Sequence, residues 1–240
     1  MSSAPPHRPA SPDTPPWHAL TADAVCAALE VDPHTGLSAA EAAARRVRHG
    51  ENRLPEPPRR PPWLRFLLQF HNPLIYVLLA AGLVTLALGS HVDAGVILGV
   101  VLINALIGHI QEGKAERALD AVRGMLAARA TVLRDGERHP VDAAELVPGD
   151  IVLLEPGDKV PADLRLLQAH NLRTVEAALT GESAPVDKTL EPVDAGAGIG
   201  DRHPVCHSGT LVAFGQGRGV VVATGARTEL GRIGTLVSGV

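Results

Sequence analysis

Apolar and polar residues change rhythm along this chain, and each change predicts a different kind of element. Near the start, Val25, Ala28 and Leu29 share one side of a short helical stretch that Thr21 can cap. Ser38-Ala39-Ala40-Glu41 is a capping box for a second, Ala-rich helix, and Gly50 supplies its stop. Both helices are short, so they are expected to dock on something larger. From Asn52 to Pro62, five prolines and three arginines predict a stiff, extended linker.

The next segment is far more apolar. Trp63, Phe66, Leu67 and Phe70 recur at i, i+3, i+4 and i+7, the stripe of a helix lying at a membrane interface. Asn72-Pro73 reads as an N-cap followed by proline at the first helical position. Leu74 to Gly89 carries no charge, Gly89-Ser90-His91-Val92-Asp93 interrupts, and Ala94 to Ile110 is uncharged again. With their flanks, both runs reach the roughly 17 to 25 residues that cross a bilayer, which predicts an antiparallel hairpin. Arg59, Arg60 and Arg65 precede it, Lys114, Arg117 and Arg123 follow it, and the turn has no Lys or Arg. Both ends are therefore expected on the cytoplasmic side. Asn104 and His109 are polar residues of the second run, expected to bond to a neighbouring helix. Ala115, Ala118, Leu119, Val122, Met125 and Leu126 prolong the helical stripe, so the second helix should continue as a stalk.

After Ala130 the period becomes that of strands. Thr131 to Arg134 and Glu137 to Val141 flank Asp135-Gly136, a hairpin turn dipeptide. Pro148-Gly149-Asp150 and Pro156-Gly157-Asp158 bracket the apolar strand Ile151 to Leu154. Further strands are expected around Leu164 to Leu167, Arg173 to Glu176, Val205 to Val212 and Arg218 to Thr224, and Thr228 should cap a last helix, Glu229 to Val237. So many short strands predict a compact sandwich or distorted barrel.

Composition narrows the function classes. The chain has 240 residues, a net charge of −4, 45% apolar residues and only 2% aromatic ones. There is no basic stripe, so no nucleic-acid partner is expected. Cys26 and Cys206 stand far apart and form neither a disulfide framework nor a thiolate metal site. His203, Cys206 and His207 lack the paired spacing of a zinc site, and no metal ligands are assigned. Gly196-Ala197-Gly198-Ile199-Gly200 lacks the strand-to-helix context of a phosphate cradle and reads as a flexible surface loop. Residues 1–16, rich in Pro and Ser without an apolar core, read as a disordered tail.

The candidate chemistry lies in Thr180-Gly181-Glu182-Ser183, a tight polar turn after Ala177-Ala178-Leu179. Gly181 permits a backbone conformation that presents Glu182 outward, where a carboxylate can orient and deprotonate a water beside an electrophile.

Several longer motifs occur in one order: Gln69-Phe70-His71-Asn72-Pro73-Leu74, Gln111-Glu112-Gly113-Lys114-Ala115, Leu146 to Val152, Gly157 to Asp163, Leu179 to Ser183, Ser208-Gly209-Thr210 and Ala223-Thr224-Gly225. Together they resemble the N-terminal part of a cation-transporting P-type ATPase, of the calcium-type and related bacterial pumps. The resemblance implies a mixed fold: a transmembrane α-helical hairpin with a helical stalk, small N-terminal helices, and a mainly-β, jelly-roll-like actuator domain. It divides the chain into the tail (1–16), an N-terminal helical segment with its Pro-rich linker (17–62), an interfacial helix with two spans (63–111), and the stalk and actuator domain (112–240). Glu182 would promote hydrolysis of an aspartyl-phosphate made elsewhere, with Thr180, Gly181 and Ser183 shaping its loop. The implied partners are the lipid bilayer of the cell membrane, the remainder of the pump and the transported cation. No cofactor is expected in this chain, while ATP and Mg2+ are implied for the complete pump. The phosphorylated Asp-Lys-Thr-Gly-Thr motif is not in these residues, so the chain alone is expected to be inactive as an ATPase. The alternative is a truncated, non-enzymatic membrane protein that uses the domain for regulation or docking.

Overall fold

The computed structural model describes residues 15–54, 61–125 and 129–238. The expected N-terminal tail and most of the Pro-rich linker therefore lie outside the described residues. The chain divides into two compact units, one of residues 1–55 with 128–240 and one of 56–127.

In the first unit, α1 (Ala22–Ala28) starts where Thr21 accepts a hydrogen bond from Ala24 N. Its buried side chains are Val25 and Cys26, whereas Ala28 is exposed. Ser38 caps α2 (Ala39–His49) by accepting from Glu41 N, and Gly50 ends it at φ 78°. Only half of the expected box forms, because the Glu41 carboxylate turns to Arg45 Nε at 2.7 Å.

The strands are β1 (Arg129–Arg134), β2 (Glu137–Asp142), β3 (Ile151–Leu154), β4 (Asp163–Val175), β5 (Pro185–Asp187), β6 (Val205–Cys206) and β7 (Leu211–Ala223). Every pairing is antiparallel, in the order β2-β1-β3-β7-β4-β5, with β6 paired to β4. The Asp135-Gly136 turn has φ of 50° and 78°, the pair of positive values its hairpin requires. Asp150, fully buried, receives Arg134 Nε and Nη2 at 2.8 and 2.7 Å and Val147 N at 2.9 Å, which fixes the turn before β3. That ion pair raises the Arg134 guanidinium above its ordinary value.

β3 is apolar throughout because both faces of the sheet are covered. Val152 and Leu154 join a cluster with Val132, Leu164, Leu166, Leu172, Val212 and Val221. Ile151 belongs to the opposite cluster, with Leu133, Val147, Val220 and Val222, which Val25, Cys26, Val31, Leu37 and Ala42 close over. The N-terminal helices thus dock on the sheet.

Several expectations are corrected here. The strands expected near Leu164–Leu167 and Arg173–Glu176 are one strand, β4, and the strand expected from Arg218 starts back at Leu211. Register shifts along the β4–β7 ladder, and Asn171 at φ 49°, break the alternation without ending the pairing. A β-carbon at Gly217 would lie 2.8 Å from Leu172 Cδ2 and 3.7 Å from Leu166 Cδ2, so the absent side chain lets β4 curl over β7. The stretch expected as one strand from Val205 to Val212 instead turns at residues 207–210 between β6 and β7. Asn52, expected in the linker, is an anchor. Its Nδ2 donates to Ala143 O and Pro161 O, both at 2.9 Å, and its Oδ1 accepts from Gly225 N at 2.8 Å. The last helix, α7 (Glu229–Ser238), begins with Thr228 Oγ1 accepting from Gly231 N at 3.0 Å.

The second unit holds α3 (Pro62–Leu68), α4 (Pro73–Ala87) and α5 (His91–Met125), with Asn72 capping α4 at Leu74 N. α4 and α5 meet along Ile75, Gly82, Ala94, Val101 and Ala105, where small side chains permit close approach. Most other large apolar groups point outward; Leu83 is 70% and Val92 78% exposed. The stretch His91–Lys114 is 24 residues long, apolar enough to cross a membrane, and only 17% of its most apolar window is buried, unlike a soluble core helix. α4 has 15 residues, about 22 Å at 1.5 Å per residue. That is shorter than the roughly 30 Å hydrocarbon core. α5 is one helix through 35 residues, as the continuous stripe predicts. Asn104 is exposed, and the His109 ring packs edge-on against Phe66 at 6.0 Å, so neither makes the expected bond to a neighbouring helix among the described residues.

Asn52→Ala removes three side-chain hydrogen bonds and strands the carbonyls of Ala143 and Pro161. The expected loss is about 2 kcal/mol, at roughly 1 kcal/mol per bond offset by partial rehydration. Denaturant unfolding of the detergent-solubilised chain, followed at Trp17, checks it.

Candidate functional site

β4 and β5 pair up to Val175 and Pro185, and residues 176–184 span the gap between them. This loop opens with a single helical turn, α6 (Ala177–Thr180), where the sequence predicts only a polar turn after an apolar stretch. The Glu176 carbonyl carries it, accepting from Leu179 N at 2.9 Å, Thr180 N at 3.0 Å and Thr180 Oγ1 at 3.1 Å. Thr180 Oγ1 in turn accepts from Glu182 N at 3.2 Å, so the hydroxyl ties the turn to the residue that follows.

Gly181 has φ 79° and ψ −5°, the left-handed conformation that ends a helix. A β-carbon there would meet nothing within 4 Å, so the demand for glycine is conformational and not one of space. Glu182 and Ser183 follow, both exposed. The Glu182 carboxylate accepts no hydrogen bond from any described residue, although its backbone is held on the Thr180 side. The four predicted residues thus form one projecting loop with a fixed base and an unengaged acid.

The base extends well beyond the motif. A 3-10 turn at Ile199–Asp201 backs α6, and a β-carbon on Gly200 would stand 3.6 Å from Thr180 Cγ2. The Gly-rich segment before it, read from sequence as a flexible surface loop, is tied down. Val193 N donates to His18 O at 3.0 Å, the His18 ring bonds Ala195 O at 3.1 Å, and Arg202 Nε donates to Ala197 O at 3.1 Å. The N-terminal turn Trp17–Ala19 therefore supports the loop that supports α6.

Sequence reasoning missed two further charged residues. Lys188 is buried, with its ammonium on the Glu176 carboxylate and donating to Val205 O at 2.9 Å. Alternation after β5 carries the signal, since Val186 turns inward, Asp187 outward and Lys188 inward again. Arg165 is fully buried and donates to the carbonyls of Trp17, Leu20, Leu166, Leu190 and Pro204. Burial pushes its guanidinium below the ordinary value. Cys206 and His207 are buried while His203 is half-buried, and burial raises the Cys206 thiol to about 12.

The arrangement can present one carboxylate to a surface brought against it, with little freedom in the backbone beneath. Comparison with known proteins gives that surface a context. A family model described as the P-type ATPase actuator domain matches residues 124–238, and one described as cation transporter/ATPase, N-terminus, matches residues 17–85. The chain is 53% identical over 220 residues to the probable cation-transporting ATPase F of Mycobacterium tuberculosis, covering 92% of this chain and 24% of that protein. It is 49% identical over 216 residues to cation-transporting ATPase pma1 of Synechocystis, covering 90% and 24%. To calcium-transporting ATPase 1 of Bacillus cereus it is 40% identical over 226 residues, covering 92% and 26%. The chain thus spans about a quarter of the length of these curated relatives.

Burial, against the opposing bond to Ala195 O, holds the His18 imidazole below its usual 6.5. The unfolded ring therefore takes up a proton first as pH falls below about 6.5, and stability falls with it until the folded ring also titrates. The depressed carboxyls of Asp32, which accepts from His34 N, and Glu41, bonded to Arg45, act only below their ordinary 3.8 and 4.5. Burial also lowers His49, so part of the effect belongs to that ring. Thermal unfolding between pH 7 and 5 should show falling stability, with a shallower slope in His18→Gln, which keeps a donor for Ala195 O.

Proposed function

The chain belongs to the P-type ATPase family, and from that premise we propose that it serves an ATP-driven cation pump by promoting hydrolysis of the aspartyl-phosphate intermediate. In this reading the phosphorylated aspartate belongs to the remainder of the pump. Glu182 orients a water on the phosphorus and takes its proton as the new P–O bond forms. The bond from phosphorus to the aspartyl oxygen breaks, and the aspartate and inorganic phosphate separate. Thr180 and Gly181 hold the backbone that aims Glu182, and Ser183 completes the loop. The observation that carries this reading is an exposed carboxylate that accepts no hydrogen bond from a described residue, on a turn held by the Glu176 carbonyl and the Thr180 hydroxyl.

ATP and Mg2+ act in the remainder of the pump. Among the described residues no three His, Cys, Asp or Glu side chains come together. The chain by itself should form no acid-stable phosphoenzyme with ATP. Which cation is carried follows from groups outside these residues.

Lipid is the surround that suits α3, α4 and α5 as far as Ile110, where the exposed side chains are largely Leu, Val and Ile. α5 crosses the bilayer, and α4 crosses it with help from the residues that flank it. Both ends lie on the cytoplasmic side of the cell membrane, where Arg65 and Lys114 sit. α5 at 35 residues outreaches the bilayer and carries movement of the β-rich unit toward the ion path as a rigid body.

Two experiments test this. In a full-length relative whose matching segment is replaced by this chain, Glu182→Gln should leave phosphorylation by ATP intact. It should slow phosphoenzyme decay by about 10² to 10⁴, the usual worth of a general base. Decay at the parent rate would remove Glu182 from the chemistry. Cysteine at Ser90 should label from outside intact cells, and cysteine at the exposed Arg138 only after lysis. The native Cys26 and Cys206 are buried and leave the background low. Labelling of Ser90→Cys only after lysis would overturn the hairpin.

A further inference from the structure

The geometry points to the buried Glu176–Lys188 ion pair as a clasp that sets the stance of the Glu182 loop, which makes Lys188 and Glu176 positioning residues for dephosphorylation. The inference rests on the reading of Glu182 given above and adds to it the residues through which that acid is aimed.

The two side chains are 1% and 0% exposed, among the least accessible charges in the protein. They flank the segment formed by the loop and the short strand β5 that follows it. Glu176 follows the last residue of β4, and Lys188 follows the last residue of β5, where its N–H still donates to Leu172 O at 2.9 Å. Their contact closes residues 177–187 into a ring bounded by one charge pair. The pair is also tied sideways. Thr174 Oγ1 donates to Glu176 Oε1 at 3.0 Å, and Lys188 Nζ donates to Val205 O, so β4, β5 and β6 meet at one point.

The link to Glu182 is short and bonded throughout. The Glu176 carbonyl accepts three hydrogen bonds from Leu179 and Thr180, and the Thr180 hydroxyl holds Glu182 N. A rotation at Glu176 therefore tilts α6 and moves the carboxylate with it. Stability alone is a poor account of the pair, because apolar replacements of buried ion pairs are often neutral or stabilising. Glu176 Oε2 is buried and accepts no hydrogen bond from a described residue. Charge fixed in a water-free site does supply direction, since either partner moving away leaves the other uncompensated.

The test uses Glu176→Gln, Lys188→Met, Lys188→Arg and the double variant Glu176→Gln/Lys188→Met. In the chain itself, held in detergent, amide hydrogen exchange of residues 177–187 should speed at least tenfold in the single neutral variants while β3 and β7 exchange as before. In the full-length relative carrying this chain, those variants should slow phosphoenzyme decay about tenfold or more and leave phosphorylation by ATP within about twofold. Lys188→Arg should recover most of the decay rate. The double variant should recover thermal stability without recovering decay, which a merely structural pair would not do. If the single variants fail to fold, the double variant and Lys188→Arg decide the matter by the same two readouts. Parent-rate decay and unchanged loop exchange in folded variants would overturn the clasp. Should Glu182→Gln slow decay while the Glu176 and Lys188 variants do not, the clasp falls and the role of Glu182 stands. Should Glu182→Gln itself be silent, the reading of Glu182 falls and the clasp's role in dephosphorylation falls with it.

Discussion

Arg165 is a cation taken wholly out of water, and among the described residues none of its hydrogen bonds goes to a carboxylate. A guanidinium so placed must satisfy its N–H groups with whatever oxygens surround it. Here they are the carbonyls of Trp17 and Leu20 near the start of the chain, of Leu190 beyond β5, of Pro204 before β6 and of Leu166 on its own strand. Segments far apart in sequence are thereby pinned to one planar group. The N-terminal turn cannot leave without stranding donors, and the loop behind α6 cannot leave without the same loss. Arg45 on α2 is a related anchor, donating to Leu29 O and Pro148 O while its Nε pairs with the Glu41 carboxylate. The rigidity beneath Glu182 starts from these desolvated cations as much as from the apolar clusters on either side of the sheet.

How far this was legible in the sequence depends on how local the cause is. Caps and turns carry their reason within four residues. Thr21, Ser38, Asn72 and Thr228 accordingly begin helices where expected, and Asp135-Gly136 closes its hairpin. The outward Glu182 was legible for the same reason, because Gly181 alone permits the turn. The continuity of β4 was hidden by its register shifts, which disturb alternation while the ladder to β7 runs on. Lys188 and Arg165 were hidden for a different reason. Charged residues are nearly always solvated, and only partners from other elements reverse that expectation. Asn52 likewise looked like linker, since its partners Ala143, Pro161 and Gly225 come from remote turns.

The two units invert one another's chemistry. The first buries charge, in Arg165, Asp150 and the Glu176–Lys188 pair, while the second turns Leu83, Val84, Val92 and Val96 outward. On the function proposed above, each inversion has its purpose. Interior charge holds an acid in position against a passing partner, and exterior hydrocarbon belongs to a solvent that is not water.

The ends of the sheet order have their own consequence. The main path of strands ends at β2 and β5, which contain Pro140 and Pro185, while β6 ends a side branch on β4. A proline has no amide hydrogen to offer, and β5 is only three residues long. Both rims are therefore poor templates for an incoming strand, and amyloid-like stacking and recognition by strand addition are discouraged there. A protein surface that must meet a partner repeatedly and let go is better served by such blunt rims, with contact left to protruding loops that release as readily as they engage.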